Sequence, residues 1–174
     1  ANAKKLFKFE HIEITLEANP GTFEQGKFND FRQAGVNRLS IGIQSFNAKH
    51  LKILGRIHDA NQALRAVETA KRAGFENINL DLMFGLPQQT IAQAIDDIST
   101  ACAFNVPHIS YYQLTIEPNT LFHKHTPVLP ESDYIWEIQT RSHEILTENN
   151  YQQYEISAYS RPDKPSAHNL NYWR

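Results

Sequence analysis

A single cysteine, Cys102, serves all 174 residues. That scarcity excludes an internal disulfide framework and any all-cysteine metal cage built from one copy of the chain. No apolar run approaches the roughly 20 residues needed to span a bilayer, and Ala1 to Phe9 lack the apolar stretch of a signal peptide. A cytoplasmic setting without a transmembrane segment is therefore expected. Lysines and arginines are scattered, which leaves nucleic acid no basic stripe to bind. What remains is a near-neutral chain, net charge −2 and 41% hydrophobic, suited to one globular domain with a sizeable core.

Apolar periodicity alternates between two regular types along the chain. Ile12 to Glu17 reads as a strand, with Ile12, Ile14 and Leu16 on one face and Glu13, Thr15 and Glu17 on the other. Thr22 and Gln25 form a capping-box pattern, Phe28 and Phe31 begin a helical stripe, and Ala34-Gly35 supplies a stop. A strand at Arg38 to Gln44 follows, then helical stretches around Asn47 to Leu54 and Ala60 to Ala73, and a strand at Asn77 to Met83. Thr90 and Gln93 repeat the capping box. Ile91, Ile95, Ile98 and Cys102 form the next stripe, before a strand at His108 to Leu114. A proline-punctuated loop from Glu117 to Pro130 leads to a helix from Ser132 to about Asn149, and Tyr154 to Ser157 reads as a short fifth strand.

This alternation predicts an α/β architecture with parallel strands and right-handed crossovers, either part of a barrel or an open doubly wound sheet. Composition by parity favours the barrel. In the first three strands one face is large and aliphatic (Ile12, Ile14, Leu16; Leu39, Ile41, Ile43; Ile78, Leu80, Leu82), while the other is small or polar (Thr15, Glu17; Ser40, Gly42, Gln44; Asn79, Asp81). Helices packed on both faces would tolerate the polar face badly. Five strands are too few to close such a barrel, so its first strands are expected to be missing from this stretch.

Glu17, Gln44 and Asp81 fall at the C-terminal ends of strands on the same inner parity, the end at which α/β barrels carry functional groups. Arg56, in Leu54-Gly55-Arg56-Ile57-His58, follows a short helix, where its guanidinium fork could clamp a carboxylate. Two carboxylates and an amide suit hydroxyls and an ammonium; one guanidinium suits a carboxylate. Singly, each residue could equally be a strand-end or surface polar group. Asp96 and Asp97 are adjacent in a helix and do not face each other, so they read as a solvated face. His123 and His125 read as surface residues, and Cys102 as a small buried hydrophobe. No residue of the chain is assigned a catalytic or metal-ligating role.

Four segments carry a resemblance: Glu17-Ala18-Asn19-Pro20-Gly21-Thr22, Arg38 to Phe46, Leu54 to His58, and Asn79-Leu80-Asp81-Leu82-Met83-Phe84-Gly85-Leu86-Pro87. Their order and spacing resemble a radical S-adenosylmethionine (radical SAM) family that contains oxygen-independent coproporphyrinogen III oxidases and their haem-chaperone relatives of the HemW type. The resemblance implies a partial (β/α) barrel of the radical SAM type over residues 1–157, with 158–174 beginning a HemW-type C-terminal region. It implies that Glu17 holds the ribose or amino group of S-adenosylmethionine, Gln44 and Asp81 the ribose and neighbouring polar atoms, and Arg56 the methionine carboxylate. Tyr112, on the inner parity of its strand, either lines the adenine pocket or packs in the core. The family's chemistry starts from a [4Fe-4S] cluster held by a CxxxCxxC loop; no such loop occurs in this sequence, and the cluster is expected in a full-length parent only. As written, the chain is expected to be unable to do radical chemistry.

Tyr111 to Thr120 and His168-Asn169-Leu170-Asn171-Tyr172-Trp173 are similar to the haem-chaperone branch. By that similarity, His168 either ligates haem iron beside aromatic rings or belongs to a packed terminal segment. About ten residues past the last predicted strand, it is expected to form a second site apart from Glu17, Gln44, Arg56 and Asp81. The implied function is a fragment of a haem chaperone acting on haem or porphyrin, with a haem-acceptor protein as partner. The alternatives are an oxidase that decarboxylates porphyrinogen propionates, and a non-catalytic interaction module.

Overall fold

A computed structural model describes residues 12–22 and 25–171. Its elements are β1 (Thr15–Ala18), a 3-10 turn (Pro20–Thr22), α1 (Gln25–Ala34), β2 (Arg38–Gln44), α2 (Ala48–Ile53), α3 (Ala60–Arg72), β3 (Asn77–Phe84), α4 (Ile91–Ala103), β4 (His108–Gln113), α5 (Leu121–Lys124), α6 (Ser132–Glu148), β5 (Gln152–Glu155), β6 (Ala158–Ser160) and α7 (Ala167–Asn171). One six-stranded sheet runs in the order β1-β2-β3-β4-β6-β5, with β1 to β4 parallel. This is the partial α/β barrel that the strand and helix periodicity implies.

Local chemistry explains the boundaries. Thr90 caps α4 by accepting from Gln93 N at 3.2 Å, while Gln93 Oε1 accepts from Thr90 N at 2.9 Å. Asp59 and Gln62 make the same reciprocal pair at the start of α3. Gly74 ends that helix at φ +82°, where its N–H bonds Lys71 O and the next N–H bonds Ala70 O, a closure that favours glycine. The side chains of the Thr22–Gln25 capping pattern lie outside the described residues.

The aliphatic face behaves as its parity predicts. Leu39, Ile41, Ile43, Ile78, Leu80 and Leu82 are buried in one core with Ala63, Val67 and Ala70 of α3, Ala94 and Ile98 of α4, and Ile138 and Leu146 of α6. Among the described residues, no helix is long and apolar enough to cross a membrane.

Three local expectations are corrected. The final strand is not a lone parallel one over Tyr154 to Ser157: β5 and β6 form an antiparallel hairpin, and β6 runs antiparallel to β4. The sheet therefore continues past residue 157, through Ala158–Ser160. A short helix, α5, lies within the proline-rich loop, capped by Thr120. Asp97 is not part of a solvated face; it is 2% exposed.

Candidate functional site

Register places the inner-face polar groups in rows. Glu17 pairs with Ser40, Ser40 with Asn79, and Asn79 with His108; one row on, Asp81 pairs with Ser110. The side chains of these rows bond one another. Asn79 Nδ2 donates to Ser40 Oγ and Asp81 Oδ1, both at 2.7 Å, and Ser40 Oγ donates to Asp81 Oδ2 at 2.9 Å. The Asn79 carbonyl accepts from His108 Nδ1 at 2.6 Å and from Ser110 Oγ at 3.1 Å. His108 Nε2 is thus left to accept from the Tyr154 hydroxyl, 2.5 Å away. Burial, with the Arg38 charge nearby, holds the His108 imidazole down at about 3, so it is neutral.

Asp81 sits above the ordinary carboxylate range because burial outweighs the hydrogen bonds and the Arg38 charge that favour its anion. Glu17, Ser40, Asp81, Ser110 and His168 line one cavity of about 840 Å³. His168 therefore shares a cavity with Glu17 and Asp81, which corrects its expected isolation. The reason is α7: Glu13 accepts from the backbone N–H groups of Ala167 and His168 and from Ser166 Oγ, tying the helix beside the start of β1. Tyr172 and Trp173 lie outside the described residues.

Gln44 occupies the opposite, C-terminal end of the strands. β2 changes register against β3 between Ile41 and Gln44. Gln44 then adopts φ +66°, and Ser45 N donates to Ile43 O at 2.9 Å, the signature of the rare positive-φ γ-turn. Such a conformation costs on the order of 1–3 kcal/mol for a residue with a side chain. Its amide folds back over β2: a Cβ on Gly42 would lie 2.9 Å from Gln44 Nε2, so glycine there lets the amide lie against the strand, and a larger residue would displace it. The Gln44 carbonyl accepts from the Tyr112 hydroxyl at 2.7 Å. Burial pushes that phenol up to about 12; the Asp81 charge adds to the rise, while the Arg56 charge and the Gln44 bond oppose it. Arg56 itself is exposed, as is its neighbour Ile57.

The structure thus joins Gln44 to Tyr112 by one hydrogen bond, brings Glu17, Asp81 and His168 together along one cavity, and leaves Arg56 exposed outside that cavity's lining. Two residues that sequence reasoning missed support the Gln44 turn. Buried His58 donates from Nε2 to Ile43 O at 3.2 Å. Asp97, on α4, accepts from Ser45 Oγ at 2.6 Å and Phe46 N at 2.7 Å. A sequence signal for Asp97 existed: it stands three residues after Ala94 and four before Ala101, both on the buried stripe of α4.

A [4Fe-4S] cluster finds no fit in this chain. Cys102 is 5% exposed in the core, with its thiol pushed up to about 11, chiefly by burial. Among the described residues, no group of three or more His, Cys, Asp or Glu side chains is placed to hold a metal. His123 and His125 are exposed, as expected.

Comparison with known proteins agrees with the architecture. The Radical SAM superfamily matches residues 1–101. Heme chaperone HemW of Escherichia coli (strain K12) is 54% identical over 162 residues, covering 93% of this chain and 43% of that protein. Heme chaperone HemW of Haemophilus influenzae is 54% identical over 172 residues, covering 98% and 45%. The solved structure of coproporphyrinogen III oxidase (HemN) from Escherichia coli, a radical SAM enzyme, matches with a TM-score of 0.84 at 25% identity, over 98% of this chain and 40% of that one. The chain spans less than half the length of these relatives. With the superfamily match covering more than half of the sequence and a fold shared along nearly all of it, the chain belongs to the radical SAM superfamily.

Proposed function

We propose that this chain is the S-adenosylmethionine-binding part of a haem chaperone of the HemW type, acting in the cytoplasm and handing haem to an acceptor protein. The observation that carries the first half is the polar cavity that Glu17 and Asp81 line together on the inner face of the sheet. Glu17 and Asp81 supply carboxylates to this cavity for ribose hydroxyls and an ammonium group. Exposed Arg56 offers two parallel N–H groups to a carboxylate. The second half rests on the 54% identity to two proteins named heme chaperone. Residues up to Ser160, the end of β6, then serve as the cofactor-binding barrel, and those that follow begin the region that meets haem, with His168 as its candidate ligand. The cluster, whose chemistry in this superfamily is to supply the electron for radical formation, needs cysteines other than Cys102.

The likeness to HemN over 98% of this chain favours a second reading, oxidative decarboxylation of porphyrinogen propionates. Product analysis with coproporphyrinogen under anaerobic reducing conditions separates the two.

Calorimetric titration with S-adenosylmethionine tests the site. The chain is produced with any coding sequence that flanks it in its gene. Arg56→Ala should weaken binding by roughly 1.5–3 kcal/mol, the range for charge-assisted hydrogen bonds, and Arg56→Lys by less. Equal affinities for the unaltered protein and Arg56→Ala would remove Arg56 from the site.

A further inference from the structure

We propose that Asp97 is a positioning residue for ligand binding, holding the γ-turn that presents the Gln44 amide, although it touches neither the cavity nor the proposed ligand groups. The inference deepens the S-adenosylmethionine reading and rests on it for its binding assay.

The turn is held from both sides by groups distant in sequence. On one side the Ile43 carbonyl accepts from Ser45 N at 2.9 Å and from His58 Nε2 at 3.2 Å. On the other, the Asp97 carboxylate takes both donors that follow Gln44, the Ser45 hydroxyl at 2.6 Å and the Phe46 N–H at 2.7 Å. Ser45 Oγ in turn accepts from Asn47 N at 3.0 Å, and the Asn47 side chain caps α2. One carboxylate therefore fixes the path from the end of β2 into the helix that leads to Arg56.

Local sequence does not favour this geometry. Gln44 carries a side chain at φ +66°, a conformation that persists only where its surroundings over-determine it. An asparagine at 97 keeps one acceptor oxygen and puts an NH2 donor where the other oxygen accepts, so it cannot hold both the Ser45 hydroxyl and the Phe46 N–H as the carboxylate does, and the turn is freed to relax toward an ordinary φ. Gln44 would then leave its place over Gly42, and the 2.7 Å bond to Tyr112 would break. Burying a carboxylate on the core side of α4 costs stability; the use that offsets this is the turn it holds.

The test compares Asp97→Asn with Ile98→Ala, the next residue on the same helix, which is fully buried and has no side-chain group to hydrogen-bond the turn. In ¹⁵N-labelled protein, the Gln44 side-chain amide resonances should move in Asp97→Asn and stay in place in Ile98→Ala. In calorimetry, Asp97→Asn should weaken S-adenosylmethionine binding about tenfold, within the coupling range of residues sharing a hydrogen-bonded network. In a Gln44→Ala background the same substitution should change affinity less than about twofold, because the group it positions is already gone. Gln44 resonances that stay fixed in Asp97→Asn, or an affinity loss equal in both backgrounds, would overturn the proposal. If the unaltered protein binds no S-adenosylmethionine while the Gln44 resonances still respond to Asp97→Asn, the positioning stands and the ligand assignment falls.

Discussion

Acid titration of stability gives the sharpest test of the buried polar groups, because two of them push in opposite directions. Asp97 is raised from 3.8 to about 6 by burial, against the Ser45 and Phe46 hydrogen bonds, with Asp96 adding to the rise. The folded state thus holds a proton on Asp97 more tightly than the unfolded chain does. Its contribution is fully present below 3.8 and is lost as pH rises through about 6. His108 is lowered from 6.5 to about 3, so its contribution is present above 6.5 and is lost as pH falls toward 3. At about 1.4 kcal/mol per pH unit, these intervals come to about 3 kcal/mol for Asp97 and about 5 kcal/mol for His108. Asp81, raised by burial, adds to the side of Asp97; His50 and His58, lowered by burial, add to that of His108. The opposing slopes overlap between about pH 4 and pH 6, so stability there should vary gently in the unaltered protein. Asp97→Asn removes one side of the balance. Urea unfolding followed by far-ultraviolet circular dichroism at pH 7, 6, 5 and 4 should show the variant losing up to about 3 kcal/mol more than the parent between pH 6 and pH 4, whatever its stability at pH 7. Parallel curves for the two proteins would show that Asp97 does not take up a proton in this range, and the reasoning from its burial would fail.

Two other outcomes are expected. Anaerobic reconstitution of this chain with iron and sulfide should give no stoichiometric charge-transfer absorption, because the only thiol is buried and held protonated; a chelator-sensitive band would reveal ligands outside those described. His168→Ala, in the chain with any coding sequence that flanks it, should lower haem retention measured by Soret absorbance, and unchanged absorbance would make His168 part of the cavity wall only.

The sequence was most readable where one physical rule acted alone. β2 was bounded correctly at Arg38 and Gln44 because strict alternation of aliphatic and small or polar residues reflects a sheet with one core face. The Thr90 capping box was legible because both partners lie within one turn. Legibility failed where the deciding contact is long-range. Nothing near residue 97 shows that a turn 52 positions earlier has two donors to satisfy, and a rule about adjacent helical residues speaks only to whether they face each other. The hairpin of β5 and β6 was missed for a similar reason: a short half-exposed segment carries little periodicity, and its antiparallel pairing with β4 is set by the open sheet edge.

That hairpin decides the polar interior. Asn79 and Asp81 could be placed on the inner face from their strand alone, but a buried amide is stable there only if all four of its hydrogen-bonding positions find partners. Asp81 and Ser40 take its two donors. Ser110 and His108 supply its acceptor's partners. With Nδ1 donating, the neutral His108 leaves Nε2 as an acceptor, and the donor that meets it is the Tyr154 hydroxyl, delivered by β5. Tyr154 in turn accepts from Ser166 N at 3.2 Å and Asn169 Nδ2 at 3.1 Å, so the chain of bonds that begins at Asp81 ends at α7. Hydrogen bonds through His108 thus connect the carboxylate proposed for S-adenosylmethionine to the helix that carries His168. A strand periodicity can assign each residue a face; the order of donors and acceptors across that face appears only when the last hairpin is in place.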